Sequence, residues 1–377
     1  MRARIACYDE HMWFMFAGLA LILGIGIFLS VYPPFGGKSH VQRWASSTNF
    51  RKRIFVNQIA TPMHMGLSDL VSMVREMLRP GSLRRPARTL ASNRIDIPAF
   101  LAAVEPQLVW LGHSGSLIRL DGKTLLLDPM LSNASSPFQF VGPKRFSKPP
   151  ITAEELPRID AVLISHDHYD HLDYATIKRL RRKTTKFFVP LGVGAHLRAW
   201  GAAKTQVVEL DWWQEATFEG LTLACTPARH FSGRNLHDRF KTLWCSWVMI
   251  SPDTKLFFSG DTGYGPHFKQ IGNKYGPFDL TLLECGQYDK RWPNIHMQPE
   301  QTFAAYQDLR GKRLMPLHWG AFSLALHGWT DSIERVQKVA RPHRAEVMTP
   351  KIGQIVSIRS ASYPKSAWWA KHMSDNI

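Results

Sequence analysis

Within six residues, His166-Asp167-His168-Tyr169-Asp170-His171, the chain places three imidazoles and two carboxylates. Neutral imidazole and carboxylate oxygen are the donors that borderline zinc takes where thiolate is absent. The run follows Ala161-Val162-Leu163-Ile164-Ser165, which reads as a buried strand. A loop at a strand end can turn several side chains to one point, whereas a continuing strand sends alternate ones to opposite faces. A lone histidine in an apolar setting is usually a packing residue. Burying this many polar groups without a shared partner would be costly, so the run reads as part of a metal site.

A two-metal site needs more ligands than one loop supplies, and three candidates share its setting. His230 follows a run that opens on Leu221-Thr222-Leu223-Ala224-Cys225, Asp261 follows Leu256-Phe257-Phe258-Ser259-Gly260, and His318 follows Leu314-Met315-Pro316-Leu317. Each lies just past an apolar strand, so all can point to one sheet edge. Gly260 and Gly263 permit a tight turn around Asp261. His113, after Trp110-Leu111-Gly112, either lines the site or packs. His237, His267, His327 and His343 lack such a context and read as surface or packing residues. No G-x-S-x-G elbow offers a serine nucleophile.

The elements that must hold these residues begin at Gln107. Apolar runs of strand length recur at 108–111, 117–120, 124–127, 161–164, 187–189, 221–225, 247–250, 256–258, 280–283 and 314–317. Helix-like stretches lie at 173–182, 192–200, 298–310 and 330–340, and Asp121-Gly122 is a hairpin signal. Hairpins first and strand–helix alternation later fit two mixed sheets covered by helices, a four-layer α/β arrangement.

The order H-x-H-x-D-H, a histidine, the aspartate of Gly260-Asp261-Thr262-Gly263 and a last histidine resembles the metallo-β-lactamase superfamily over roughly residues 107–325. More narrowly, Cys225-Thr226-Pro227, His318-Trp319-Gly320, Tyr288 with Arg291-Trp292, and His296 before Pro299-Glu300 resemble the N-acylphosphatidylethanolamine-hydrolysing phospholipase D branch and its bacterial relatives. The resemblance implies an αββα sandwich over 101–358 and two zinc ions per chain. His166, His168 and His230 would hold one zinc, Asp170, His171 and His318 the other, with Asp261 bridging. Asp170, Asp261 and His296 become the catalytic residues. Tyr169, Arg234, Tyr288 and His296 become substrate contacts, Arg234 standing near where the animal branch has a lysine. Asp128, in Leu125-Leu126-Leu127-Asp128-Pro129, is then the outer carboxylate that orients a ligand histidine. The implied reaction is cleavage of a phospholipid, N-acylphosphatidylethanolamine giving N-acylethanolamine and phosphatidic acid, by a hydroxide bridging the metals. A nuclease or a lactonase on the same centre is the alternative. A non-catalytic membrane-tethered binding module would lack a ligand, and all seven positions are filled.

Of the 377 residues, 47 are Lys or Arg against 30 Asp or Glu, a formal charge of +17 that favours polyanions. From Met12 to Tyr32 no residue is charged, enough to span a hydrocarbon core of roughly 30 Å as a helix. A cleaved signal peptide is the rival reading, but no A-x-A site ends the stretch. Lys38, Arg43, Arg51, Lys52 and Arg53 follow it, which puts the large domain on the cytoplasmic side of a bacterial inner membrane. The expected organisation is a tail at 1–11, a transmembrane anchor at 12–32, a basic linker or membrane-surface region at 33–100, the hydrolase domain at 101–358 and a tail at 359–377. The linker holds a candidate amphipathic helix at 65–79. Four cysteines show no C-x-x-C pairing and so imply neither a thiolate site nor a disulfide framework. The expected partners are a phospholipid, the membrane through the N-terminal helix and its basic flank, and a second copy in a homodimer. Nucleic acid is not among them, because much of the positive excess lies beside the span.

Overall fold

A computed structural model of the chain describes residues 14, 16–21, 23–24, 26, 28, 31–39, 44–63, 66–79, 83–235 and 237–372. The short pair β1 (Phe50–Arg51) and β2 (Ile54–Phe55) precedes an eleven-residue helix, α1 (Leu67–Met77). The first large sheet then begins with the meander β3 (Gln107–Gly112), β4 (Gly115–Leu120) and β5 (Lys123–Leu127). It continues in parallel through β6 (Ile159–Leu163), β7 (Thr184–Pro190) and β8 (Val207–Leu210). The second sheet repeats this plan. Antiparallel strands β9 (Glu215–Phe218), β10 (Leu221–Thr226), β11 (Ser246–Ile250) and β12 (Lys255–Phe258) lead into parallel β13 (Leu280–Glu284), β14 (Arg313–Leu317) and β15 (Glu346–Val347). Strand β16 (Ile355–Ser357) returns to pair with β3, so each sheet has seven strands among the described residues.

Alternation along a strand explains why the apolar runs are continuous. In β3, Leu108 and Trp110 join the core between the sheets, while Val109 and Leu111 join a second core under Ile177, Leu180 and Leu197. Both faces are covered, so every position from Leu108 to Leu111 is apolar. The result is the expected four layers, helix–sheet–sheet–helix.

Two stretches differ from their expected roles. Part of the supposed linker is built into the domain: Phe55 and Leu90 are each 1% exposed, and Leu90 pairs with Ser147. In the supposed C-terminal tail, Trp369 is equally buried and stands edge-on to Trp319, next to His318. Large aromatic side chains bury 150–250 Å² each, which outweighs the basic composition around them. The transmembrane helix expected over 12–32 is not supported, since no helix among the described residues is long and apolar enough to cross a membrane. Part of that stretch lies outside the described residues. Its described positions up to Val31 are helical, with Phe14, Leu19 and Val31 well exposed. The single chain gives no support to the expected homodimer.

Candidate metal centre

The C-terminal ends of strands from both sheets meet at one edge, and each delivers a polar residue. His113 follows β3, Asp128 follows β5, the His166–His171 run follows β6 and His230 follows β10. Asp261 follows β12, Glu284 ends β13 and His318 follows β14. His113, Asp128 and His318 have φ of 56°, 36° and 66°, in the left-handed region. Such strain costs about 1–3 kcal/mol per residue and persists only where surroundings enforce it. Here the backbones of His113 and His318 brace each other, His318 N–H donating to His113 O at 3.1 Å and His113 N–H to Trp319 O at 3.1 Å. Gly260 is needed for the turn into Asp261: its φ is 55°, and a Cβ there would stand 2.4 Å from Ser165 Cβ. The exit of the His166–His171 loop is fixed by Asp173, whose carboxylate accepts from Ala175 N and Thr176 N to cap the helix Tyr174–Leu180.

Two groups of ligand atoms result. In the first, His168 Nδ1 lies 2.9 Å from His166 Nε2 and 3.2 Å from His230 Nε2. In the second, Asp170 Oδ2 lies 3.3 Å from His171 Nε2 and 3.2 Å from His318 Nε2. Asp261 faces both groups. Its Oδ1 is 3.1 Å from His171 Nε2 and its Oδ2 3.3 Å from His318 Nε2, while His166 and His230 Nε2 each lie 3.9 Å from Oδ2. The seven residues expected to be ligands thus stand together. His113 joins them, its Nε2 2.9 Å from Asp170 Oδ2.

The donor set fits divalent metal ions. His171 Nε2 and Asp261 Oδ1 are buried, face each other and have no hydrogen-bond partner. An unsatisfied buried polar group costs about 1–3 kcal/mol, and a shared cation would remove that cost. On three of the histidines the far ring nitrogen is already engaged, as metal-bound imidazole requires for its orientation. His171 Nδ1 meets Asp128 at 2.6 Å, His166 Nδ1 meets Ser165 Oγ at 2.9 Å and His230 Nδ1 donates to Ile295 O at 2.9 Å. Imidazole and carboxylate without thiolate suit zinc. The described cysteines Cys225, Cys245 and Cys285 are buried and take no part in the ligand groups.

Charge is distributed unevenly. Burial, then the neighbouring rings, holds His166 and His230 well below the ordinary histidine range, and burial lowers His168 as well. Burial also acts on His171 and His318, but there Asp261, Asp170 and further carboxylates outweigh it. They raise His171 well above its usual value and His318 to about 10. Burial would raise Asp170 and Asp261; His171 leads the neighbours that keep both well below the usual carboxylate range.

The remaining expected site residues separate. His296 is at the centre and partly exposed, its ring 5.1 Å from His230 and 5.2 Å from His318. Asp128 does span the site: besides His171 it accepts from the backbone N–H and hydroxyl of Ser165. Arg234 is buried with its donors already used, on Pro34 O (2.7 and 3.0 Å), Leu172 O (2.8 Å) and Asp167 O (2.5 Å). Its guanidinium stacks on Tyr169 at 4.1 Å, and the Tyr169 hydroxyl donates to Arg234 O. The Tyr288 hydroxyl donates to Asp331. Asp167, inside the signature run, takes Gly233 N–H at 2.8 Å and the Thr242 hydroxyl at 2.7 Å, and so braces the loop.

Two residues join the site unannounced. Glu284, wholly buried, accepts from His296 Nδ1 at 2.9 Å, from Thr262 N and Met297 N at 3.0 Å each, and faces His318 Nδ1 at 3.4 Å. Its signal was present, since it ends an apolar strand as the ligands do. Asn57 accepts from His230 N and donates to His230 O, at 3.1 and 2.8 Å, and no sequence pattern marks it.

The model of the Beta-lactamase superfamily domain matches residues 123–319. An uncharacterized protein of Mycobacterium tuberculosis is 43% identical over 331 residues, covering 86% of this chain and 87% of that protein. The N-acyl-phosphatidylethanolamine-hydrolyzing phospholipase D 1 of Caenorhabditis elegans is 36% identical over 227 residues, 57% of this chain and 64% of that protein. Among solved structures, Igni18, a metallo hydrolase of Ignicoccus hospitalis, superposes with a TM-score of 0.52 at 25% identity, covering 67% of this chain and 97% of that one.

Proposed function

The chain belongs to the metallo-β-lactamase superfamily of metal-dependent hydrolases, and we propose that it is a membrane-anchored, zinc-dependent phosphodiesterase that cleaves a phospholipid of the N-acylphosphatidylethanolamine type. One observation carries the reading: Asp261 stands between two ligand groups at a buried strand edge, with the partly exposed His296 beside both. The similarity to the nematode phospholipase supports the substrate class.

His166, His168 and His230 would hold one zinc, Asp170, His171 and His318 the other, with Asp261 shared. Two such ions lower the pKa of bound water and neutralise phosphoryl oxygens. The chain's own residues do the rest. Glu284 accepts from Nδ1 of His296 and so turns Nε2 to the substrate side, where the ring, when protonated at both nitrogens, would donate to a phosphoryl oxygen or to the departing oxygen. Asp128 sets His171 and, through Ser165, His166. Burial of the ligand groups keeps bulk water from screening the charges.

The 12–32 stretch and its basic flank would attach the domain to the cytoplasmic face of a membrane. The exposed apolar side chains of its described residues, Phe14 at 75% and Leu19 at 65%, support that attachment. The test is to give the full chain N-acylphosphatidylethanolamine in vesicles with saturating zinc. Equal amounts of N-acylethanolamine and phosphatidic acid are expected, lost with chelator and regained with zinc. Release of neither product sinks the lipid reading. Hydrolysis of DNA or a lactone instead would replace it.

A further inference from the structure

Helix α1 turns its sides opposite to those of an ordinary surface helix. Ser72 and Glu76, four residues apart and so on one face, meet the domain through Arg291. Its guanidinium donates to Ser72 Oγ at 3.3 Å and to Glu76 Oε2 at 3.0 Å. At 3.6 residues per turn Leu67, Leu70, Val71, Val74, Met77 and Leu78 fall on the opposite face. They are 43–78% exposed, and no residue of the helix is buried. A helix on a globular surface normally faces such a stripe inward. Here the polar side is fastened and the apolar side looks outward.

The surroundings carry an excess of positive charge. Arg75, Arg79, Arg85 and Arg88 are exposed. Both acids of the helix are already engaged, Asp69 with Gly66 N at its N-terminus and Glu76 with Arg291. A strap extends the surface: Arg84 donates to Met77 O at 2.8 Å, and Arg85 to Lys144 O at 3.1 Å. Lys144 closes a loop whose tip, Phe140 and Val141, is 76% and 53% exposed.

We propose that α1 and the Phe140–Val141 tip form one docking surface for an anionic phospholipid bilayer. The apolar stripe lies at the acyl boundary and the arginines among the headgroups. A protein partner would account for the stripe, but the excess of exposed arginine around it favours anionic lipid. The docked helix would also stand close to the chemistry. Arg291 belongs to the loop that carries Ile295, whose carbonyl holds His230, and His296. The inference deepens the phospholipid reading and rests on it for what the docking serves.

The test uses the full chain carrying Cys7→Ser and Val74→Cys, labelled at position 74 with an environment-sensitive fluorophore; the three buried cysteines stay unlabelled. On vesicles of phosphatidylcholine and phosphatidylglycerol, the emission should shift to the blue. Quenching by brominated acyl chains should exceed quenching by aqueous iodide several-fold. Raised salt should weaken the shift, because headgroup attraction is screened. Quenching by iodide as in open solution, with none from the acyl chains, overturns the proposal. So does protection from both quenchers, which means that protein covers the stripe; in the unlabelled Val74→Cys chain, a disulfide between copies formed under added copper–phenanthroline oxidant would identify a second chain. No turnover is read, so a failed docking test leaves the phosphodiesterase reading standing, and a failed lipid assay leaves the docking result standing.

Discussion

The first ligand group gathers three imidazoles, with Asp261 no nearer than 3.9 Å to His166 and His230. The second sets His171 and His318 among Asp128, Asp170, Asp261 and Glu284. Burial decides the protonation of the first group, and carboxylates that of the second. The difference teaches that the two halves depend on different supports. Dry walls and backbone partners suffice for the imidazole half, while the carboxylate half holds together only while its acids are compensated by protons or by metal.

The largest effect should come from the residue that belongs to both halves. Asp261→Ala should lower the hydrolytic rate by more than the roughly 10–100-fold typical of losing an outer partner. Initial rates under saturating zinc check this, and a variant with near-normal activity would show that Asp261 joins nothing. Next comes a residue that touches one half only. Glu284→Gln should weaken binding of one of the two ions by roughly 10–100-fold and leave the other in place. Equal weakening in a zinc titration would break the distinction between the halves.

The third prediction concerns pH. In chelated protein, His318 is raised to about 10 from an unfolded value of about 6.5. A raised folded value contributes stability that is complete below the unfolded value and lost as pH climbs through the folded one. Melting temperature of the chelated chain should therefore fall between about pH 6.5 and 10. Zinc-loaded protein should not follow that fall, because metal takes the place of those protons. Parallel curves would contradict the charge contrast. The smallest effect on chemistry should come from Arg234→Lys, since a lysine cannot serve three carbonyls in fork geometry. It should cost about 1–3 kcal/mol of stability by denaturant unfolding and leave KM unchanged. A raised KM at full stability would return Arg234 to substrate contact.

Much of this was legible in the sequence, for a physical reason. Apolar strand followed by a lone polar residue is a local pattern, and strand ends are where an α/β fold converges side chains. His166, His230, Asp261 and His318 all carry it, and Glu284 carries it too, as the last residue of its strand. Competition for a side chain is not local. Nothing near Arg234 in the chain announces that Pro34, 200 residues away, accepts its hydrogen bonds. The same holds for Asn57 on His230, and for Trp369 closing on Trp319. The amphipathic helix was visible at 65–79, but which face turns outward is decided by Arg291, far along the chain.

The proposed centre holds two metal ions that share Asp261, and counting the ions tests that proposal most directly. The full chain, stripped of metal and titrated with zinc, should take up about two ions, as in other two-metal hydrolases, and Asp261→Ala should take up fewer. Saturation of the unaltered chain at one ion, or the same count in both proteins, would contradict it.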